Sequence, residues 1–480
     1  MDRVLTARQM IDADRYNIDK LGLSEDILIE RAGEAVAEEI ILRFKGGRVL
    51  VCVGKGNNGA DGKVAAKVLS LKHGFNVKVF SVFDDNIEVL DDKYDIILDC
   101  IFGTGLNKDI TGKIKDIIEK INNSKSYIIS CDIPSGLNGD SGLVKGVAIK
   151  ANLTIAIQEY KTGLFLNDGL DYSGKIVVKD IGISVWEDGY VQRFSDKDVI
   201  EYFPDRKRNV HKGNFGKVAI VGGSKNFPGS IYLSLGGLTS LKAGAGYANL
   251  VVPESMYNCY ALKNPECTLM TIKDDNGCIL FDPKTMDQLL KYDVIVFGMG
   301  IGVSEQVYKT LLYLIDNYKG KLIIDADGLN TISKYGTHIL EKERTCDVVL
   351  TPHIGEFSRL SNMDKQSILS DPINCAKEFA KEYNLIIVLK NAVSIITDGE
   401  RVYLNTTGCG GMAKGGSGDV LSGFVGGVVA RNKELIESVC SACYVFGRAG
   451  EIAQSNDSAY TITASDIVKN LGNAINSLVD

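Results

Sequence analysis

Apolar residues recur along this chain in two alternating rhythms. Between Leu21 and Phe44, residues Ile27, Leu28, Ala32, Ala35, Val36, Ile40 and Ile41 fall at the three- and four-residue spacing of one helix face. Short, continuously apolar runs then follow at Arg48–Gly54, Val77–Phe83, Tyr94–Cys100, Tyr127–Asp132 and Leu153–Ile157. Runs without polar alternation are buried on both faces, and with amphipathic segments between them they predict a parallel, doubly wound sheet. Segment 57–73 opens on Asn57-Asn58-Gly59, a natural helix cap, and continues as a helix.

The rhythm breaks between Ser184 and Lys212. This stretch holds the single tryptophan, Trp186, together with Pro204 and the charge run Asp205-Arg206-Lys207-Arg208, which reads as a solvated linker. It places a junction that gives domains 1–203 and 204–480. A second α/β series then begins, with strands expected at Lys217–Gly222, Tyr247–Val252, Asp293–Phe297, Lys321–Asp325, Asp347–Leu350 and Leu385–Leu389. The expected architecture is α/β throughout, with an N-terminal Rossmann-like three-layer domain and a different α/β unit behind it.

One run stands apart from this pattern. From Gly408 to Gly418 the chain has six glycines in eleven residues, and Asp419 opens an apolar helical stretch directly after them. A glycine-rich turn at a helix N-terminus binds anions, because unpaired N–H groups and the positive end of the helix dipole point the same way. A carboxylate set into an anion site repels phosphate. Its presence makes sense if Asp419 takes a proton from a hydroxyl that attacks a phosphoryl group held by the loop.

Composition narrows the partners. The chain has 480 residues, too many for one ordinary core, with globular-average hydrophobic and charged content of 45% and 24%. A net charge of −7 with no basic block gives no reason to expect nucleic acid or an anionic membrane as partner. No run approaches the roughly 20 apolar residues of a membrane span, and Met1–Thr6 lacks a signal peptide's apolar core. Eleven scattered cysteines fit reduced thiols in a cytoplasmic protein, and Cys440 and Cys443 read as core packing. A homo-oligomer is expected.

In the first half, Gly54-Lys55-Gly56-Asn57-Asn58-Gly59-Ala60-Asp61-Gly62 joins a strand to a helix as a phosphate-binding turn, without a Walker loop's Gly-Lys-Ser/Thr ending. Asp99 and Asp132 each end a strand, and Ser135 follows closely. Two strand-end acids beside an amide and a hydroxyl form a hard oxygen cage suited to an alkali or alkaline-earth ion.

In the second half, Gly298-Met299-Gly300-Ile301-Gly302, Thr351-Pro352-His353 and Lys390-Asn391-Ala392-Val393-Ser394 each follow a strand, where open sheets place their ligands. With His211-Lys212-Gly213-Asn214-Phe215-Gly216, Lys242-Ala243-Gly244-Ala245-Gly246, Asp325-Ala326-Asp327-Gly328 and Gly416-Ser417-Gly418-Asp419, this order resembles the NAD(P)H-hydrate dehydratase family over nearly all of residues 205–480. The resemblance implies a ribokinase-like fold. It also implies that Gly302, His353 and Asp419 meet the hydrated nicotinamide nucleotide, and that Lys390, Asn391, Ala392, Val393, Ser394 and Gly418 hold ADP or ATP with Mg²⁺.

The first half resembles the NAD(P)H-hydrate epimerase family over about residues 5–200, including Glu30-Arg31-Ala32-Gly33. That likeness implies substrate binding by Asn57, Asn58, Gly59, Ala60, Asp61, Gly103, Thr104, Gly105, Leu106, Asn107, Lys108 and Asp109, with Asp132 at the reacting ring. It implies potassium held by Asn58, Asp99 and Ser135. Ala60 departs from the glycine usual in that family, and Lys161 is a further polar group for the site. The expected function is repair of hydrated NADH and NADPH by epimerisation and nucleotide-driven dehydration. A vitamin or sugar kinase with a regulatory N-terminal domain, or an N-terminal nucleotide-binding module without catalysis, are the alternatives.

Overall fold

The computed structural model describes residues 1–185, 189–235, 239–261 and 266–479; Trp186 lies outside them. Contacts divide the chain into two units, Arg3–Val191 and Met1–Asp2 with Gln192–Asp480. The composition break suggests a junction at 203/204, but residues 192–203 pack with the second unit. Phe194 and Val199 are buried in that unit's core, and Tyr444 Oη donates to Asp196 Oδ1 at 2.7 Å. Proline and charge mark where the chain is polar, not where its contacts end.

The N-terminal unit is built on a six-stranded sheet in the spatial order Phe75–Ser81, Gly47–Val53, Ile96–Cys100, Tyr127–Cys131, Leu153–Ile157, Lys175–Lys179. Every pairing in it is parallel. Side chains alternate across a strand, so each strand feeds two cores. Val49, Val51, Leu98 and Ile129 pack against Val36 and Ile40 of helix Glu25–Arg43 and Ala65 of helix Asn57–Ser70. On the other face Leu50, Cys52, Ile97 and Ile128 meet Ile117, Ile118 and Ile121 of helix Lys113–Asn122. Fully burying one such side chain is worth about 1.5–3 kcal/mol, so both faces must be covered for the sheet to persist. Ser24 caps helix Glu25–Arg43 by accepting from the Ile27 N–H.

The second unit orders its strands Thr268–Ile272, Tyr247–Pro253, Lys217–Val221, Val294–Phe297, Lys321–Ile324, Asp347–Leu350, Ile386–Leu389, Ser394–Thr397, Val402–Asn405. Pairing is parallel as far as Ile386–Leu389 and antiparallel over the last two strands. The sequence pattern gives no strand at 394–397 or 402–405, because these short segments carry no helix between them to mark a crossover.

Helix Ser417–Arg431 is the central helix of this unit, buried continuously from Val420 to Val429. A helix apolar all round belongs inside a core. It approaches the sheet so closely that a Cβ on Gly426 would lie 2.5 Å from Val296 Cγ2. Helix Leu435–Asn456 packs beside it and carries Cys440 and Cys443, both buried in the same core with their thiols pushed up by burial.

The Gly426 contact gives a first prediction. Gly426→Val forces two branched side chains into one space, and overpacking of this kind costs about 1–3 kcal/mol. The thermal midpoint followed by circular dichroism should fall by several degrees. An unchanged midpoint would mean the helix does not seat on the sheet this closely.

Candidate functional site

Both sheets present polar groups at the carboxyl ends of strands where the strand order reverses. An open α/β sheet leaves its crevice there. In the N-terminal unit the reversal lies between Gly47–Val53 and Ile96–Cys100. A cavity of about 860 Å³ opens at that point, lined by Asn57, Asn58 and Asp61 of one helix start, Gly103, Thr104, Gly105, Leu106, Asn107 and Lys108 of the next loop, and Asp132 and Lys161. Gly59, Ala60 and Asp109 lie outside this lining. Gly59 serves the turn itself, since a Cβ there would sit 2.2 Å from the Gly54 carbonyl oxygen.

Asp132 follows strand Tyr127–Cys131 in a left-handed conformation, φ 66°, which costs a non-glycine residue about 1–3 kcal/mol. Its Oδ1 accepts from the Ile157 N–H at 3.1 Å and from the buried Lys161 ammonium. Lys161 also donates to the Ile157 carbonyl at 2.5 Å. Asp14 and Asp61 line the same cavity. Burial pushes the Asp61 carboxyl up to about 8, with the charges of Asp132 and Asp14 adding to it against Lys161. Burial likewise pushes Asp14 up to about 6, with Lys161 opposing and Asp132 adding. One lysine therefore serves three carboxyls, and near neutral pH Asp61 keeps its proton. Asp14 escapes a sequence reading because it sits mid-helix in Ala7–Asp19 without a motif around it.

Asp99 and Ser135 sit behind the cavity wall. Asp99 is fully buried, and its carboxylate accepts from Ser130 Oγ at 2.8 Å, Ser135 N at 2.9 Å, Ser135 Oγ at 2.5 Å and Ile101 N at 3.2 Å. Burial nevertheless keeps its pKa above the usual carboxylate range. Ser135 Oγ accepts from the Phe102 N–H at 2.8 Å, and the next residue, Gly103, packs on Asn58. The Asn58 amide is buried with neither its nitrogen nor its oxygen partnered. A buried amide left unpaired costs about 1–3 kcal/mol, so it calls for a ligand.

In the second unit, Gly416 caps helix Ser417–Arg431 with φ 93°, a conformation that favours glycine. Asp419 lies in the first turn. Burial and the charge of Asp325 push its carboxyl up to about 7, with Asp327 adding and Ser230 and Lys390 opposing. Lys390 Nζ donates to Asp325 Oδ1 at 2.9 Å, and Ser422 Oγ donates to Asp325 Oδ2 at 2.6 Å. Burial works against the Lys390 charge, but Asp325, Glu356 and Asp419 outweigh it and hold its pKa above the ordinary value. Gly418 lies beside this pair, since a Cβ there would be 3.2 Å from Lys390 Nζ. Gly302 N donates to Asp327 Oδ2 at 2.9 Å.

His353 pairs with Lys390 in an isolated parallel bridge. Its Nδ1 accepts from Gly355 N at 2.9 Å, capping helix Ile354–Ser361, while the ring is half exposed. Asn391 and Ala392 are exposed, Val393 is buried, and Ser394 starts the next strand. Gly302, His353, Lys390, Gly418 and Asp419 thus share one strand-end region. Asp325 and Asp327 belong to it as charges, and their signal was the strand-end Asp325-Ala326-Asp327 itself.

The fold and sites define an enzyme of two nucleotide-handling units, one ribokinase-like with a carboxylate in a glycine-rich helix start. Residues 218–473 match the NAD(P)H-hydrate dehydratase family, and residues 25–92 and 82–163 match the YjeF-related protein N-terminus family. A bifunctional NAD(P)H-hydrate repair enzyme of Thermofilum pendens is 31% identical, over 97% of this chain and 94% of its own. One from Archaeoglobus fulgidus is 31% identical over 96% of each. The solved ADP/ATP-dependent NAD(P)H-hydrate dehydratase of Bacillus subtilis, co-crystallised with ATP and Mg²⁺, superposes with a TM-score of 0.53 at 25% identity, over 60% of this chain and 99% of that one. The chain belongs to the family of bifunctional NAD(P)H-hydrate repair enzymes. No described helix is long and apolar enough to cross a membrane.

The acidic cluster gives a second prediction. A carboxyl whose folded pKa is raised costs nothing below the unfolded value near 4 and costs progressively more as pH rises to its folded value near 8. Asp61→Asn removes that cost. Its thermal midpoint should exceed the parent's by a margin that grows between pH 5 and pH 8.5. A margin independent of pH would show that Asp61 is not held protonated.

Proposed function

We propose that the N-terminal unit interconverts the R and S forms of hydrated NADH and NADPH, and that the second unit dehydrates the S form at the expense of ADP or ATP. The observation that carries the dehydratase reading is Asp419, a carboxylate in a glycine-rich helix start with its pKa raised to about 7. A base tuned near the working pH takes a proton efficiently.

The hydrate carries a hydroxyl on C6 of its nicotinamide ring, a poor leaving group. Asp419 accepts the hydroxyl proton as the oxygen attacks the terminal phosphoryl group. The phosphate then leaves C6 with that oxygen, C5 gives up a proton, and the ring double bond returns. The amides from Gly415 to Gly418 face the phosphoryl oxygens, a role in which one donor is worth about 3 kcal/mol. Lys390 and the 391–394 segment hold the nucleotide, and Gly302 and His353 meet the hydrate. Mg²⁺ bound with the nucleotide would offset the phosphate charge.

In the epimerase, Asp132 and Lys161 form the proton-transfer pair at the ring, and the 57–61 and 103–109 segments bind the nucleotide. Potassium fits the residues present. Asn58 offers an unpaired buried amide, Asp99 one carboxylate and Ser135 a hydroxyl, hard donors of low total charge. There it would orient the loop that carries Gly103. A kinase making a stable phosphate ester shares Asp419 with this reading but leaves the Asp132–Lys161 pair without a task.

Two substitutions test the assignment. Asp419→Asn should lower conversion of pure S hydrate by about 10²–10⁴-fold, followed at the absorbance of the reduced ring, while nucleotide binding persists. Asp132→Ala should stop conversion of R to S hydrate and leave S-hydrate dehydration intact. Full activity of Asp419→Asn would overturn the dehydratase reading, and equal losses on both hydrates in Asp132→Ala would overturn the two-site reading. Replacing potassium with lithium should slow epimerisation alone.

A further inference from the structure

A run of glycines is conformationally loose, so an anion turn built from one works well only if something outside it fixes the backbone. The run from Gly408 to Gly418 has such a support in helix Leu435–Asn456. Tyr444, Gly447, Glu451 and Gln454 follow one another at three- and four-residue spacing, so they share one face of that helix. The Tyr444 carbonyl accepts from Thr407 Oγ1 at 2.9 Å, just ahead of the run. Glu451 Oε1 accepts from the Gly408 N–H at 2.9 Å, and Gln454 Oε1 from the Gly411 N–H at 3.0 Å. Gly447 lets the chain lie this close, since a Cβ there would sit 2.2 Å from Thr407 Oγ1. Further along, Lys414 Nζ donates to the carbonyls of Tyr460 at 2.7 Å and Ile462 at 2.6 Å.

The alternative is that these acceptors only satisfy backbone groups that folding would otherwise leave unpaired. That account asks the same of every amide in the run, and the amides are not treated alike. Those of Met412, Ala413 and Lys414 donate within the turn, to the carbonyls of Cys409, Gly410 and Met412. Those of Gly408 and Gly411 donate to Glu451 and Gln454. Those of Gly415 and Gly416 donate to no described group. The outside support therefore holds the start of the run, and the free amides stand at its end. A carboxylate near a phosphate site needs its charge offset. The second oxygen of Glu451 lies 3.4 Å from Arg448 Nη1.

We propose that Glu451 and Gln454 are positioning residues of the dehydratase, fixing the Gly408–Gly411 end of the run so that the Gly415 and Gly416 amides stand ready for the phosphates of ADP or ATP. This rests on the reading of that turn as the phosphate site. Each residue acts through the loop backbone. Without its acceptor the run samples more conformations, and part of the nucleotide's binding energy goes into ordering it. The loss falls on nucleotide binding, because Asp419 belongs to the helix that follows the run.

The test is S-hydrate dehydration by the full chain over a range of ATP concentrations with Mg²⁺, which separates KM from kcat. Glu451→Ala and Gln454→Ala should each raise the KM for ATP about tenfold and leave kcat within about threefold, the effect of one lost hydrogen bond felt in binding. The double variant should fall short of the product of the two effects, since both act on one loop. Glu451→Gln keeps an acceptor oxygen and should restore the parent KM. Gln454→Leu keeps the bulk without the acceptor and should match Gln454→Ala; it decides the matter if the alanine variants fail to fold. An unchanged KM in the variants that lose an acceptor, while Gly418→Val raises it by crowding the helix start, would overturn the inference alone. A Gly418→Val KM equal to the parent's would instead overturn the reading of the turn as the phosphate site. A fall in kcat with KM unchanged in Glu451→Ala and Glu451→Gln alike would also overturn the inference, because it would mark a role in folding and not in nucleotide binding.

Discussion

Removing a carboxylate from water costs several kcal/mol unless charge or hydrogen bonds replace the water, and both sites are arranged around that cost. Each places a lysine against a strand-end aspartate: Lys161 on Asp132 in one unit, Lys390 on Asp325 in the other. In each, further carboxyls stand within range of the same lysine, and there is too little positive charge to satisfy them all. The surplus appears as proton affinity, in Asp14 and Asp61 on one side and in Asp419 on the other. Groups whose pKa is raised toward neutrality are those able to exchange protons with a substrate.

The sheets decide where this surplus is kept. Strand interiors are mostly apolar in both units, and the charged groups of both sites stand near strand ends. The order reverses beside Gly47–Val53 in one sheet and beside Lys217–Val221 in the other. At each reversal the following loops diverge and leave a crevice. A helix start then brings unpaired N–H groups to the same crevice: Asn57–Ser70 in one unit, Ser417–Arg431 in the other. Anion-binding amides and proton-bearing carboxyls meet there because both are excluded from the apolar interior.

The two units solve the same problem with different supports. Asp132 is held by backbone strain and by the Ile157 N–H, behind a lysine with almost no exposure. Asp419 sits in helical backbone, and Ser234 of a neighbouring helix donates to its main-chain carbonyl. A strained residue is set by its own loop, whereas a helical residue needs a second element to fix its direction. The Asn58 amide belongs to the first kind of site: its unpaired atoms cost stability and are retained where a ligand satisfies them.

Much of this was legible in the sequence. Continuous apolar runs determined the parallel strands, because a strand buried on both faces has nowhere to place a polar residue. Glycine clustering determined the anion turns, because only glycine leaves so many amides clear. Strand-end acids such as Asp99, Asp132 and Asp325 were visible as breaks in those runs. The antiparallel strands Ser394–Thr397 and Val402–Asn405 were not, since a short hairpin carries no periodic mark. Nor was the unit boundary at Val191, because contacts rather than composition set it. Asp14 and Ser234 lie on ordinary helix faces far in sequence from the groups they act on. The sequence determined which residues had to reach the strand ends. Only the tertiary structure decided which of them share a lysine, and therefore which keep a proton, because pKa depends on distance and burial that no local pattern records.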